Sequence, residues 1–114
     1  MKELIEWRVT HEKYVNESRE IVLHFDGREY VLGTADKYVF DIGRRFFWRI
    51  QWDSEVFNFM DDGYYQLRTG APLEPYQEKM NEYIITNLWR IVRRLKEIEG
   101  EKHSQVQKEY LLSE

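Results

Sequence analysis

The stretch Ile21-Val22-Leu23-His24-Phe25-Asp26-Gly27-Arg28-Glu29-Tyr30-Val31-Leu32 decides the fold. Ile21, Leu23 and Phe25 alternate with Val22 and His24, and the alternation resumes at Tyr30 and Leu32 beyond Asp26-Gly27. An Asp-Gly pair between alternating apolar runs specifies a two-residue type I′ hairpin, because both turn positions need a positive φ. The turn sets a register. Phe25 stands opposite Arg28, Leu23 opposite Tyr30 and Ile21 opposite Leu32 on one side, with Val22 opposite Val31 and His24 opposite Glu29 on the other.

The same period of two extends outward in both directions. Ile5, Trp7 and Val9 alternate with Glu6, Arg8 and Thr10, a half-buried strand that breaks at Asn16-Glu17-Ser18. Residues 33–36 read as a loop, after which Tyr38, Phe40 and Ile42 alternate, Gly43-Arg44 turns, and Phe46, Trp48, Ile50 and Trp52 alternate again. Tyr38, Ile42, Phe46 and Ile50 also recur at a helical spacing of four. Gly43 in mid-segment and the density of aromatic and β-branched residues favour strands. Further strands are expected over 56–60 and 64–69, separated by Asp61-Asp62-Gly63 and ended by Gly70-Ala71-Pro72.

The C-terminal third changes period. Pro75 suits a first helical position, and Met80, Ile84, Leu88, Ile91, Leu95 and Ile98 form one apolar stripe over roughly five turns. Glu74 and Glu78 at its start, and Arg93, Arg94 and Lys96 near its end, complement the helix dipole, and Gly100 marks a stop. The expected fold is therefore α+β: an antiparallel β-meander of about seven strands, flat or curled into a partial barrel, followed by one long C-terminal helix. Residues 1–100 form a single domain in this reading, and 101–114 a tail, loose or docked as a short helix.

Composition narrows the function. The 114 residues carry four Trp, eight Tyr, six Phe and no Cys, with a net charge of −4. Disulfides, thiolate metal sites and cysteine nucleophiles are excluded, and a reducing, cytoplasmic setting is expected. No apolar run reaches the ~18 residues of a membrane span, and Met1-Lys2-Glu3 does not open a signal peptide. The acidic balance argues against a dedicated duplex-DNA binder.

Catalytic signals are few. His11, His24 and His103 are scattered, and His24 reads as a cross-strand partner of Glu29. Asp53, Glu55, Asp61 and Asp62 could approach one another across a hairpin, but no partner at a telling spacing accompanies them. There is no phosphate-binding glycine loop and no nucleophile elbow. The chain is expected not to be an enzyme, and to need no cofactor or metal.

Two surface features remain. At 100° per residue Ile85, Trp89 and Val92 lie off the main helical stripe, flanked by Arg93 and Lys96. One flat sheet cannot cover both stripes, so either a bent sheet wraps Trp89 or another molecule does. Trp and Arg together make interface hot spots, and the expected partner is another protein or a second copy of this chain. The second feature is Arg44, Arg45, Phe47 and Arg49, in which an aromatic between arginines can stack a base while guanidinium groups meet phosphates. The competing reading is a solvated strand face whose arginines pair with neighbouring acids. A lipid or small apolar ligand inside a curled sheet is a third reading.

A strand meander closed by one C-terminal helix resembles the pleckstrin-homology architecture, whose closing helix often carries a buried Trp; Trp89 would be similar. Residues 40–84, with Arg68-Thr69-Gly70, Leu73-Glu74-Pro75 and Gln77, are similar to the transcriptional-coactivator family of single-strand DNA binders, without that family's lysine-rich character. Both likenesses rest mainly on element order, which does not fix function. The leading expectation is a small regulatory domain, inhibitory or self-associating, that works by protein–protein contact; the alternative is single-stranded nucleic-acid binding.

Overall fold

The Asp26-Gly27 turn takes the conformation its residues favour, with φ of 54° at Asp26 and 73° at Gly27. A computed structural model describes residues 4–13, 16–40, 45–60, 63–68 and 71–112. In chain order the elements are β1 (Ile5–Lys13), β2 (Asn16–Phe25), β3 (Arg28–Phe40), β4 (Arg45–Trp52), β5 (Tyr64–Leu67), α1 (Glu74–Thr86) and α2 (Leu88–Leu112). The strands form one antiparallel sheet in the order β1-β2-β3-β4-β5, so the class is α+β. The sheet is open: β1 and β5 occupy its two edges.

Five strands replace the expected seven for two reasons. Residues 33–36 are not a loop, because β3 runs without interruption from Arg28 to Phe40. Residues 56–60 are not a strand but a compact turn segment that buries Val56 and Phe57 side by side. Two adjacent residues cannot both face one side of a strand, whereas a turn can turn both inward. Asp53 closes this segment: its carboxylate accepts the Glu55 N–H at 2.8 Å and the Val56 N–H at 3.4 Å. Residues 38–40 and 45–52 are strand, as the glycine and aromatic density indicated. The Gly43-Arg44 turn, Asp61-Asp62 and Thr69-Gly70 lie outside the described residues.

The hairpin register holds from Phe25↔Arg28 through Val22↔Val31 and then slips. Ile21 pairs with Gly33 rather than with Leu32, so Leu32 is the extra residue of a β-bulge. Beyond it the odd-numbered positions face the helices. Leu32 and Ala35 share one core with Ile21, Leu23, Trp48 and Ile50, although three positions separate the first two. Tyr38 is consequently sent to the opposite face, where it pairs with Phe47. Gly33 is required there by space. A Cβ would collide with the Gln51 carbonyl oxygen and stand 2.9 Å from Trp52 Cα.

The expected single helix is two. Asn87 ends α1 with φ −106° and ψ 18°, and α2 restarts at Leu88. The Asn87 side-chain amide donates to the Tyr83 carbonyl at 2.9 Å, the same oxygen its backbone N–H uses at 3.0 Å. This side-chain competition for a helix carbonyl is a recognised cause of a kink. Gly100 does not stop α2, which continues to Leu112; nothing lies within 4 Å of where its Cβ would be, so the break from Ala is only one of propensity. Both helices cover the same face of the sheet. Ile84, Ile91 and Val92 enter the core of Ile5, Ile21, Leu23, Leu32, Trp48, Ile50, Phe57 and Leu67. The Trp7 indole N–H donates to Asn81 Oδ1 at 2.8 Å and ties β1 to α1.

On the other face, Arg8 links two carboxylates, Glu6 at 3.0 Å and Glu29 at 2.9 Å. His24 joins them, with Nε2 at 3.0 Å from Glu6 and Nδ1 at 3.8 Å from Glu29, the cross-strand pair the hairpin register implied. Hydrogen bonding from Arg8 holds both carboxyls below the usual range, with His24 a smaller contributor.

Two outcomes follow from these contacts. Gly33→Ala forces the β3–β4 ladder apart, and urea unfolding should show a loss of about 3 kcal/mol, the upper range for inserting a group into filled space. The depressed Glu6 and Glu29 carboxyls stabilise the fold above the unfolded-state value near 4.5, and that contribution fades as pH falls through their folded values. Thermal unfolding from pH 6 to pH 3 should therefore fall less steeply in Arg8→Gln than in the parent chain; equal slopes would contradict the linkage.

Candidate functional site

Trp89 stands in the second turn-forming position of α2 with 73% of its surface exposed, the largest value among the exposed large apolar residues described. The apolar period runs on through Asn87 into α2, so that Leu88, Ile91, Val92, Leu95 and Ile98 pack toward the sheet and Trp89 falls on the flank. Among the described residues its ring contact is with Phe25, at the end of β2, with centroids 6.0 Å apart and planes at 85°. Edge-to-face geometry of this kind orients a ring without covering it. The hairpin tip is fixed beside α2 by a second link, in which Arg28 Nη1 donates to Glu99 Oε1 at 2.6 Å.

Four of the five residues expected at this surface come together. Trp89, Val92, Arg93 and Lys96 line one open groove of about 370 Å³. Val92 is its floor, only 3% exposed and part of the core, and Ile85 packs half-buried against that core. Arg93 and Lys96 make no ion pair among the described residues. Arg94, one position on, is by contrast engaged with Glu97 at 3.2 Å and with the Glu55 carbonyl at 3.1 Å. The groove thus has an aromatic wall, an apolar floor and, on its rim, two cations without an ion-pair partner among the described residues. Phe25 was not singled out in the sequence; its place beside Trp89 depends on where the hairpin tip meets α2.

The second expected group is only partly assembled as the sequence suggested. Arg44 lies outside the described residues, and Arg45 is exposed at the start of β4. Phe47 is just 7% exposed and lies against Tyr38, with centroids 5.1 Å apart and planes at 17°. Arg49 lies over two rings, 5.0 Å from the centre of Tyr38 and 5.8 Å from that of Tyr64. Tyr38 and Tyr64 are the residues missed: Tyr38 reaches this face because the bulge at Leu32 shifts β3, and Tyr64 comes from β5, where it pairs with Gln51.

Other chemistry is sparse. No group of three or more metal-ligating side chains occurs among the described residues, and Asp53 is occupied in capping its turn. Among the described residues no helix is long and apolar enough to cross a membrane. An open cleft of about 300 Å³ lies between Trp52, Tyr65, Tyr76 and Tyr83, at the junction of β4, β5 and α1. The Tyr65 phenol is held above its usual range by its hydrogen bond with Tyr76. Comparison with protein-family models gave no match, and neither the curated proteins nor the solved structures contain one that matches this chain.

Proposed function

We propose that this chain is a non-enzymatic regulatory domain that works by protein–protein contact, self-association included, through the groove of Trp89, Val92, Arg93 and Lys96. The observation that supports this reading is the 73% exposure of Trp89 on an ordered helix. A Trp left in water forgoes the burial of an area of order 200 Å², worth several kcal/mol at the usual coefficient. A partner that covers it recovers that term. Phe25 meets the ring edge-to-face and gives it an aromatic neighbour at the margin of the groove.

The rim adds chemistry to the shape. Arg93 and Lys96 are cations without ion-pair partners among the described residues, so an apolar segment bordered by carboxylates complements the groove. A second copy of this acidic chain can supply such a border, as can another protein. An inhibitory or accessory role is consistent with a small domain whose described residues hold no catalytic constellation.

Trp89→Arg distinguishes an interface from a core position. Sedimentation across a range of concentrations, and cross-linking in a lysate, should show association that the variant abolishes. Its unfolding free energy should stay within about 0.5 kcal/mol of the parent, as for other exposed positions. A parent chain that remains monomeric and uncaptured, together with a variant that loses stability, would overturn the reading.

A further inference from the structure

The sheet has a second face, turned away from both helices. On it β3, β4 and β5 bring Tyr38, Phe47, Arg49, Gln51, Tyr64 and Gln66 together, since Tyr38 pairs with Phe47, Arg49 with Gln66, and Gln51 with Tyr64. Tyr38 and Tyr64 are 37% and 40% exposed. The Arg49 guanidinium lies over both rings, and Phe47 supports Tyr38 from within the sheet. Arg45 is exposed four positions away along the same face of β4.

The state of Arg49 points to a ligand. Its Nε is closed to solvent and has no acceptor, and the residue makes no ion pair among the described residues. The carboxylate opposite it, Asp36, accepts instead from the Ser18 hydroxyl at 2.7 Å. Among the described residues the Arg49 guanidinium makes no hydrogen bond and no ion pair, so the outer nitrogens of its fork are left for charge-assisted bonds to an arriving anion. Arginine's planar fork fits phosphate in particular. Exposed phenol rings on either side, and the guanidinium plane itself, are surfaces on which bases stack.

We infer that this face binds single-stranded nucleic acid, with phosphates at Arg49 and Arg45 and bases stacked beside Tyr38 and Tyr64. The site is distinct from the Trp89 groove, which lies on the helical side. Duplex is not the ligand: its bases are already stacked on one another, and the net charge of −4 gives no long-range attraction to a dense phosphate backbone. Phe47 does not stack a base, because Tyr38 already covers it. Its role is to hold the platform.

Fluorescence anisotropy of labelled 12-mers of deoxythymidine and of uridine, titrated with the full chain at several salt concentrations, tests this. Binding should weaken with salt along a log–log slope of about −1.4, two phosphates at about 0.7 each. Arg49→Gln should weaken binding roughly tenfold and reduce the slope by about 0.7, whereas Tyr64→Ala should weaken it about tenfold with the slope unchanged. Arg45→Gln, at an exposed position, repeats the charge test should Arg49→Gln fail to fold. Lys102→Gln, an equal loss of charge on α2, should alter neither quantity. The tighter of the two oligomers identifies the sugar. Absence of binding at 20 mM salt, binding indifferent to both Arg49→Gln and Tyr64→Ala, equally tight binding of duplex, or preference for polyglutamate over either oligomer would overturn the inference.

Discussion

The structure turns on the close approach of β3 to β4 at Gly33, where only a residue without a Cβ fits beside the Gln51 carbonyl. Leu32 is squeezed out of the β2–β3 ladder at this point, and a side-chain period of two makes the consequence global. Every position of β3 beyond the bulge changes face. Ala35 joins Leu32 in the core, and Tyr38 crosses to the far side to meet Phe47 and Arg49. Without the bulge, Thr34, Asp36 and Tyr38 would point at the helices, and the buried side would carry a hydroxyl, a carboxylate and a phenol in place of Ala35. The polar far face and the apolar near face both depend on that one residue.

A second constraint acts on the helical side. Asn87 offers the Tyr83 carbonyl a side-chain donor in addition to its own N–H, and the helix divides there. The main apolar stripe keeps its period across this point, from Met80 and Ile84 on α1 to Leu88, Ile91, Leu95 and Ile98 on α2, and the second stripe is partly covered beside it. Val92 reaches the core and Ile85 reaches its margin. Trp89 is what remains uncovered. The dilemma posed by the amphipathic pattern, a bent sheet or an external partner, is thus resolved within the chain for Val92 and Ile85 but not for Trp89, the residue with the largest apolar surface to gain from a partner.

The legible part of the fold was that encoded locally. Asp26-Gly27 fixed a hairpin whose first four cross-strand pairs match expectation, and His24 beside Glu29 followed from that register. The Met80-to-Ile98 stripe identified helix correctly, since its period is set by the same residues that enter the core. What escaped the sequence depends on contacts between distant segments. Gly33 reads as a loop residue until Gln51 is placed against it, and Val56-Phe57 reads as strand until both are seen to fill the core beneath α1. The Trp89 group was legible because four of its members share one helix. The Arg49 platform was half legible: its arginines lie on one strand, but its exposed tyrosines come from β3 and β5, and no spacing along the chain relates them.

The bulge is therefore the feature on which the two-faced sheet stands, and it can be observed without perturbing the molecule. Proton–proton nuclear Overhauser contacts across β2 and β3 report the register directly. The account predicts cross-strand backbone contacts of Ser18 with Asp36 and of Arg19 with Ala35, alongside Val22 with Val31 nearer the turn. Contacts of Ser18 with Ala35 and of Arg19 with Thr34 would mean an unbroken ladder. Tyr38 would then face the helices, and the account of both faces would be contradicted.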